Sequence, residues 1–193
     1  MKPLGRTDKE FRYRQQARVI WLYGLSGAGK TTLATALEWH LAAAGHATAM
    51  LDGDQVRAGL NAGLGFNDSD RTENLRRVAE VARLYVYSGL VTICSFITPR
   101  QIQRDLVRGI IGSADFLDIY IEASFSTCAQ RDTKGLYARA SANQLTQFTG
   151  KDSAFEPPTP GNCTFALNTE IESAEASAIR LRDFVVPHLR LPL

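Results

Sequence analysis

The sequence predicts an α/β fold of three layers, in which a parallel five-stranded sheet lies between two layers of helices. Short runs rich in β-branched and aromatic residues alternate with longer segments of helical periodicity, and a glycine-rich loop follows the first run. Strands that alternate with helices in this way pair in parallel and are buried on both faces. The predicted strands are 18–23, 47–52, 91–97, 116–122 and 163–167, and the predicted helices are about 30–44, 70–88, 99–111, 124–131 and 171–186.

Composition and charge are those of an ordinary globular domain. Hydrophobic residues make up 45% and charged residues 22% of the 193 residues, which suits one domain with a substantial core. The net charge of +2 is too small to indicate a nucleic-acid or membrane partner. Because Cys94, Cys128 and Cys163 include no CxxC pair, we expect neither a zinc site nor a disulfide framework. No segment resembles a signal peptide or a membrane span, so we expect a cytoplasmic protein.

Residues 1–17 form a basic arm in front of the predicted domain, which we place at 18–193. Its acidic residues are only Asp8 and Glu10. We expect this arm to be solvated, with docking on a partner as the alternative.

The first predicted strand leads into Gly24-Leu25-Ser26-Gly27-Ala28-Gly29-Lys30-Thr31, which fits the phosphate-binding pattern G-x-x-x-x-G-K-[ST]. Glycines let backbone N–H groups curl around phosphate oxygens, and the start of the next helix adds partial positive charge. Lys30 is expected to reach the β- and γ-phosphates, and the Thr31 hydroxyl to hold Mg²⁺. The alternative, a glycine-rich turn before an ordinary helix, is disfavoured because strand, complete pattern and helix follow in order. The loop predicts a nucleotide polyphosphate site.

Two carboxylates follow the second predicted strand, in Asp52-Gly53-Asp54. Ligands of open parallel sheets bind beyond the carboxyl ends of the strands, so these carboxylates are expected beside the phosphate loop. Phosphoryl transfer needs an acidic group that orients the attacking hydroxyl or holds the metal. A polar turn with an ion pair to Arg57 is the alternative.

The predicted helix 70–88 carries two stripes. Asp70 and Glu73 form a candidate capping box at its start. Its core face is predicted to consist of Leu75, Val78, Ala79, Ala82, Tyr85 and Val86. The second stripe, whose guanidinium groups suit paired anionic oxygens, consists of Arg71, Asn74 and Arg77. A solvated face with pairing between residues three apart is the alternative for that stripe.

Thr98-Pro99-Arg100-Gln101 follows the third predicted strand. Thr98 is predicted to be an N-cap, with Pro99 at the first helical position and Gln101 in a capping box. A catalytic role for the Thr98 hydroxyl is compatible with this prediction.

Residues 132–162 interrupt the alternation of strands and helices with a polar segment punctuated by glycine and proline. Long insertions near a site are commonly lids, so we predict a lid at about 132–162.

Together these residues resemble the adenylylsulfate kinase family, which phosphorylates adenosine 5′-phosphosulfate at its 3′-hydroxyl. The resemblance runs from about Arg18 to Thr169. Besides the phosphate loop, its motifs are Leu51-Asp52-Gly53-Asp54 with Arg57, Leu64-Gly65-Phe66, Asp70-Arg71 with Asn74 and Arg77, Arg131-Asp132 with Lys134-Gly135-Leu136-Tyr137, and Phe148-Thr149-Gly150 with Asp152-Ser153.

The resemblance implies a phosphate-loop kinase fold, MgATP as phosphate donor and a homodimer. It implies catalytic roles for Lys30, Asp54 and Thr98, and metal binding by Thr31 and Asp54. The implied ATP-binding residues are Gly24, Ser26, Gly27, Ala28, Gly29, Lys30, Thr31, Thr32 and Arg131. The implied acceptor-binding residues are Asp54, Arg57, Phe66, Arg71, Asn74, Ile97, Thr98, Lys134, Leu136, Phe148 and Gly150, with Phe66 and Phe148 stacking on the adenine.

The sequence departs from the family pattern at the end of the third strand. Thr98 stands where the family usually has serine, Arg100 where it has an aromatic residue, and Gln101 where it has arginine. Two alternatives to an adenylylsulfate kinase stay open, of which these departures motivate the first. One is a kinase of the same fold with a different nucleotide-like acceptor, and the other is a nucleotide-binding module without catalysis.

Overall fold

A computed structural model describes residues 2–142, 148–159 and 161–191. Its strands form one five-stranded parallel sheet in the order β2-β3-β1-β4-β5, which confirms the predicted fold class. The sheet differs from the prediction only in where strands begin and end. The strands are β1 (Val19–Tyr23), β2 (Thr48–Asp52), β3 (Val91–Ser95), β4 (Phe116–Glu122) and β5 (Phe165–Asn168).

Helices cover both faces of the sheet, and the five predicted helices are present. Three further helices were not predicted, namely α1, α3 and α7. None of the helices in the described ranges is long and apolar enough to cross a bilayer. The helices are α1 (Arg6–Tyr13), α2 (Lys30–Ala43), α3 (Gly53–Ala58), α4 (Asp68–Tyr87), α5 (Gln101–Ile111), α6 (Phe125–Arg131), α7 (Leu136–Ser141) and α8 (Ala174–Val185).

The central strand β1 divides the core into two halves. Successive side chains of a strand point to opposite faces of the sheet. Ile20 and Leu22 accordingly pack in the half built with α2 and α8. Val19, Trp21 and Tyr23 pack in the half built with α4 and α5. All five are fully buried, so the strand that leads into the phosphate loop is held on both sides.

Helix α4 begins earlier than predicted, and the capping box of Asp70 and Glu73 is wrong. The N-cap is Asn67, whose side chain accepts the Asp70 N–H at 2.8 Å. Glu73 instead pairs with Arg76 and Arg77, each at 2.7 Å. Asn67 provides the cap because an Asn side chain satisfies an orphan N–H as well as Asp does. The predicted core face of α4 is buried, except that Tyr85 is only half-buried.

The basic arm folds onto the domain at some of its residues, while basic side chains such as Arg12 and Arg14 are exposed to solvent as predicted. Gln15 is fully buried, and its amide nitrogen donates to the carbonyls of Ala47 and Gly89, each at 2.8 Å. Arg6 pairs with Asp115 at 2.6 Å and donates to the Ala17 carbonyl at 3.0 Å. The partners lie up to 109 positions away in sequence, which is why the local charge pattern gave no sign of them.

The predicted lid segment, 132–162, contains α7 and an irregular stretch that returns to β5. Its residues 143–147 and 160 lie outside the described residues. Its role as a lid stays a prediction.

Candidate active site

A cavity of about 600 Å³ opens beyond the carboxyl ends of β1, β2 and β3. The strand register places Asp52 beside Ser95 at this edge, and Leu22 lies on the other side of Ser95. This is the edge of an open α/β sheet at which ligands bind. The phosphate loop, the two carboxylates and the 97–99 turn therefore meet in one place.

The phosphate loop has a backbone that only glycine adopts readily. Gly24 has φ +151°, and a Cβ atom there would lie 2.3 Å from the Ile121 carbonyl oxygen. Gly27 has φ +79°, with the Cys128 carbonyl oxygen 3.1 Å from its Cβ position. Because both neighbours are backbone atoms that cannot move aside, the glycines fix the loop against β4 and α6.

Lys30 is the first residue of α2 and is buried in the floor of the cavity. Its Nζ atom donates to the Leu25 carbonyl at 2.7 Å, inside the same loop. Burial, together with the nearby positive charge of Lys134, lowers the pKa of Lys30 to about 8. No carboxylate in the described part of the chain forms an ion pair with this buried amine, so an anionic phosphate would supply its charge partner.

Thr31 is held by an acidic residue that the sequence analysis did not assign to the metal. Its hydroxyl donates to the Asp52 carboxylate at 2.8 Å and lies 3.2 Å from the Ser95 hydroxyl. The second carboxylate oxygen of Asp52 accepts the Asp54 N–H at 3.0 Å, which caps α3. The oxygen atoms beside Thr31 thus come from Asp52 and Ser95.

Asp54 points to the other side of the cavity, where it forms an ion pair with Lys134 of the lid segment. Both side chains are exposed, at 72% for Asp54 and 48% for Lys134. The alternative of an ion pair between this turn and Arg57 is not formed within the described part of the chain. Arg57 instead donates to the carbonyls of Leu64 and Gly65, each at 3.1 Å.

Arginines and an aromatic ring form the far end of the cavity. The Arg57 guanidinium lies 4.3 Å from the centre of the Phe66 ring. Arg71 donates to the Phe66 carbonyl at 2.6 Å and to the Thr149 hydroxyl at 2.5 Å. Burial and the charge of Arg57 lower the pKa of Arg71, so this end of the cavity favours an anion.

Asn74 lines the same end, whereas the third member of its stripe does not. The Asn74 side-chain oxygen accepts a hydrogen bond from Asn61 at 3.0 Å. Arg77 turns away, towards Glu73 and the Leu60 carbonyl. Of the predicted stripe, Arg71 and Asn74 belong to the cavity, and Arg77 belongs to the surface of α4.

The lid segment contributes Lys134, Leu136 and Phe148 to the cavity wall. Phe148 packs edge-on against Tyr137, with ring centres 4.8 Å apart. The Tyr137 hydroxyl donates to the Ser26 carbonyl at 2.7 Å, so this lid helix is anchored on the phosphate loop. Phe66 and Phe148 therefore both face the cavity, but from different segments.

The structure contradicts the prediction that Thr98 caps a helix. Helix α5 begins at Gln101, its N-cap is Arg100, and Gln103 rather than Gln101 returns a side-chain bond to the N-cap N–H. The Thr98 hydroxyl accepts the indole N–H of Trp21 at 2.9 Å. Tertiary contact with Trp21 thus takes the hydroxyl that the local pattern assigned to capping. Thr98 and Ile97 line the cavity.

Arg100, the residue that departs from the family pattern, is not among the residues that line the cavity. It pairs with Asp68 at 2.7 Å and so joins the start of α5 to the start of α4. Its charge is already partnered in the protein.

The implied ATP-binding residues divide into two groups. Ser26, Gly27, Gly29, Lys30, Thr31, Thr32 and Arg131 line the cavity, whereas Gly24 and Ala28 support the loop from behind. Arg131 donates to the Thr169 carbonyl at 2.6 Å and to its hydroxyl at 3.0 Å. Gly150, an implied acceptor residue, lies outside this cavity and lines a neighbouring groove against Phe125.

Sequence reasoning missed several residues that line the cavity or hold it in shape. Ser95 could have been found from its place at the end of β3, one residue before Phe96-Ile97-Thr98. Tyr137 belongs to one of the family motifs and Thr169 ends the stretch that resembles the family, but neither was given a role. For Glu172 and Thr133 the sequence carried no signal. The residues in question are Ser95, Thr133, Tyr137, Thr169 and Glu172.

A five-stranded parallel sheet, a phosphate loop at the end of its central strand and an acidic turn beside it define a phosphate-loop kinase. The sequence profile described as adenylylsulphate kinase matches residues 16–166. The chain belongs to the adenylylsulphate kinase family.

Known proteins of similar sequence and structure belong to the same family. An adenylyl-sulfate kinase of Bacteroides fragilis is 42% identical over 186 residues, which are 96% of this chain and 91% of that relative. One from Aeromonas hydrophila is 51% identical over 155 residues, 79% of each chain. The structure of the Mycobacterium tuberculosis APS kinase CysC in complex with AMPPNP and APS is similar, with a TM-score of 0.83 and 37% identity. That match covers 88% of this chain and 98% of the other.

Proposed function

We propose that this protein transfers the γ-phosphate of ATP to the 3′-hydroxyl of adenosine 5′-phosphosulfate, yielding ADP and 3′-phosphoadenylyl sulfate. The observation that carries the proposal is one cavity with two chemically distinct ends. One end holds the phosphate loop with Lys30, and the other holds Arg57, Arg71 and Phe66. A donor and an acceptor nucleotide would lie head to head in it, as transfer between two bound nucleotides requires.

The donor end suits a triphosphate. Backbone N–H groups of the phosphate loop and the N-terminus of α2 favour negative charge. Lys30 would exchange the Leu25 carbonyl for the β- and γ-phosphate oxygens. Arg131, held by Thr169 beside the loop, would contact the nucleotide from the opposite wall.

Hydroxyl and carboxylate oxygens beside the loop fit Mg²⁺, which prefers hard oxygen ligands. We assign the metal to Thr31 together with Asp52, directly or through water, because these two groups are already in contact. Mg²⁺ would neutralise charge that develops on the transferring phosphate. Asp54, the carboxylate first implied for the metal, is assigned to the acceptor hydroxyl instead.

The acceptor end suits a phosphosulfate and a purine. Guanidinium groups match the row of anionic oxygens of a sulfate–phosphate anhydride. Arg57, Arg71 and Asn74 would bind those oxygens. Phe66 and Phe148 offer two aromatic faces for one adenine, and stacking of this kind stabilises bound bases.

Transfer of the γ-phosphate would need little beyond correct positioning of the two nucleotides. The 3′-oxygen attacks the γ-phosphorus, the bond to the β,γ-bridging oxygen breaks, and the hydroxyl proton passes to the Asp54 carboxylate. Because Asp54 is paired with Lys134, it becomes available once Lys134 turns to the anionic acceptor. Thr98 would hydrogen-bond the acceptor through its backbone or its hydroxyl, and no phosphoenzyme is required.

Product identification tests this proposal. The protein is incubated with MgATP and adenylyl sulfate, and the nucleotides are separated by anion exchange and identified by mass spectrometry. We expect equal amounts of ADP and 3′-phosphoadenylyl sulfate, and neither from Lys30→Ala. A phosphate on any other atom of the acceptor, or ADP without a phosphorylated acceptor, would reject the proposed reaction.

We also propose that the protein is a cytoplasmic homodimer, which rests on the family resemblance. Light scattering behind size exclusion at micromolar concentration tests the dimer. A mass equal to one chain of 21.2 kDa would reject it.

A further inference from the structure

We propose that Arg104 is a positioning residue that holds the Thr98–Pro99 turn at the acceptor end of the cavity and ties it to the lid segment. The proposal rests on the proposed function, because it concerns the acceptor site of that reaction. Arg104 lies on α5, does not line the cavity, and is 2% exposed.

The guanidinium of Arg104 joins three parts of the chain. It donates to the Thr98 carbonyl at 3.1 Å and to the Glu156 carbonyl at 2.8 Å. It also donates to the Gln101 side-chain oxygen at 3.0 and 3.2 Å, and lies 5.0 Å from the centre of the Tyr23 ring. The planar fork of an arginine has five N–H donors and so can reach two carbonyls in different segments and a side-chain oxygen at once.

No carboxylate forms an ion pair with Arg104 in the described ranges, which is unusual for a buried cation. Its four hydrogen bonds all go to neutral oxygens, two of them backbone carbonyls. Replacement by an apolar residue would therefore leave the Thr98 and Glu156 carbonyls without this donor. These two carbonyls are the main-chain groups that the Arg104 guanidinium binds.

Thr98 needs such support because its backbone is strained. Its φ is +43°, a region that β-branched residues rarely enter. The Trp21 indole holds the hydroxyl and Arg104 holds the carbonyl, so the conformation is fixed from both sides. Loosening either contact would let the turn relax and move the atoms that face the acceptor.

The same turn receives the far end of the lid segment. The Glu156 N–H donates to the Pro99 carbonyl at 2.8 Å, and its carboxylate accepts the Gln101 N–H at 2.8 Å. Phe155 stacks on Tyr120 at 6.1 Å and packs into both halves of the core. Arg104 therefore lies where hydrogen bonds join the lid segment to the Thr98–Pro99 turn.

The experiment compares Arg104→Lys with Arg108→Lys, one turn further along α5. Arg108 pairs with Asp118 and packs on Phe116, away from the cavity. Both variants are made in a Trp39→Phe background, because Trp39 is exposed and Trp21 is the only other tryptophan. The emission of Trp21, which bonds the Thr98 hydroxyl, then reports the position of the turn.

We expect Arg104→Lys to raise the KM for adenylyl sulfate about tenfold, because hydrogen bonds from a charged group are lost. The KM for MgATP should stay within about twofold of the parent value. Trp21 emission of the unliganded variant should change, whereas Arg108→Lys should alter neither emission nor either KM. Gln101→Ala, at a half-buried position, removes the side-chain oxygen that accepts two of the Arg104 hydrogen bonds. It should raise the adenylyl sulfate KM in the same direction, and it carries the test if Arg104→Lys does not fold.

Equal changes in both KM values, or unchanged adenylyl sulfate kinetics, would overturn the proposal and leave Arg104 a structural residue. If the parent protein does not turn over adenylyl sulfate, the proposed function fails instead. The Trp21 emission of unliganded Arg104→Lys then still tests the role of Arg104. An unchanged emission would show that Arg104 does not position Thr98.

Discussion

At the scale of single residues, the burial of Lys30 has a measurable consequence for proton binding. Burial lowers the pKa of its amine from the ordinary 10.5 to about 8. Between these values the unfolded chain binds more protons than the folded one. The Lys30 contribution to the free energy of unfolding therefore rises with pH from about 8 to about 10.5, and the full cost of the buried charge is present below pH 8.

Binding of MgATP should reverse this shift, because phosphate oxygens beside Nζ favour the charged amine. At pH 9 we expect binding to take up about one proton. Calorimetric titration in two buffers of different ionisation enthalpy measures this uptake. In Lys30→Met the uptake should disappear, and transfer should fall by about 10³-fold or more. Equal proton uptake by both proteins would contradict the assignment of Lys30 to the phosphates.

Asp52 and Asp54 make a matched pair of carboxylates two positions apart. Asp52→Asn should raise the Mg²⁺ concentration needed for half-maximal rate, because its carboxylate contacts Thr31. Asp54→Asn should lower kcat by about 10²–10⁴-fold while the KM for MgATP stays within about twofold, as expected for loss of a general base. Steady-state kinetics over a Mg²⁺ series measures both variants. If Asp54→Asn changed the Mg²⁺ requirement and Asp52→Asn lowered only kcat, Asp54 would be assigned to the metal and Asp52 to the acceptor hydroxyl.

The sequence could not decide between these two carboxylates. Both follow the same strand, and which one faces Thr31 depends on the turn into α3, where Asp52 becomes the N-cap. Thr98 is a similar case, since its local pattern satisfies a capping rule while Trp21, 77 positions away, takes the hydroxyl. The residue types of the site could be predicted, whereas their pairing depends on contacts distant in sequence.

At the scale of elements, the docking of α1 is the largest addition to what the sequence predicted. Helix α1 buries only Glu10 among its own residues and depends on partners such as Asp115, which pairs with Arg6. Helices α3 and α7 have six residues each, too few to show a helical period. The five strands and the longer helices were predictable because their apolar periodicity is a local property that the core requires.

The contribution of this N-terminal element can be measured. Gln15→Ala leaves the N–H and carbonyl of Ala47 and the carbonyl of Gly89 without their side-chain partner. We expect the free energy of unfolding to fall by about 2–3 kcal/mol, because unsatisfied buried groups are costly. Urea denaturation measures the change. Gln16→Ala, at a half-buried neighbour, should change it by less than about 0.5 kcal/mol. Equal effects of the two variants would show that the hydrogen bonds of Gln15 do not hold the arm.

At the scale of the whole molecule, the predicted lid segment contacts the body of the domain beside the cavity. Lys134 pairs with Asp54, Thr149 accepts from Arg71, and Glu156 is bound by Arg104. Two of these body residues, Asp54 and Arg71, also line the proposed acceptor site. We therefore expect substrate binding and the position of the segment to be coupled.

This coupling predicts protection from proteolysis. The exposed trypsin sites of the segment are Lys134, Arg139 and Lys151. We expect adenylyl sulfate with MgADP, an unreactive pair, to slow cleavage at these sites by about tenfold, because cleavage requires local opening. Cleavage at Arg12 in α1 serves as the control and should keep its rate. Unchanged cleavage in the segment would show that it does not close over the substrates.

The central claim is that one cavity accepts MgATP and adenylyl sulfate and passes a phosphate between them. Acceptor-dependent release of ADP, measured with adenylyl sulfate and with a panel of other nucleotides and small alcohols, tests it most directly. We predict fast release with adenylyl sulfate and little with any other acceptor, which would make Arg100 a tolerated variation. No ADP release with adenylyl sulfate, together with turnover of another acceptor, would contradict the assigned substrate. The assignment of the phosphate loop and its chemistry would still hold.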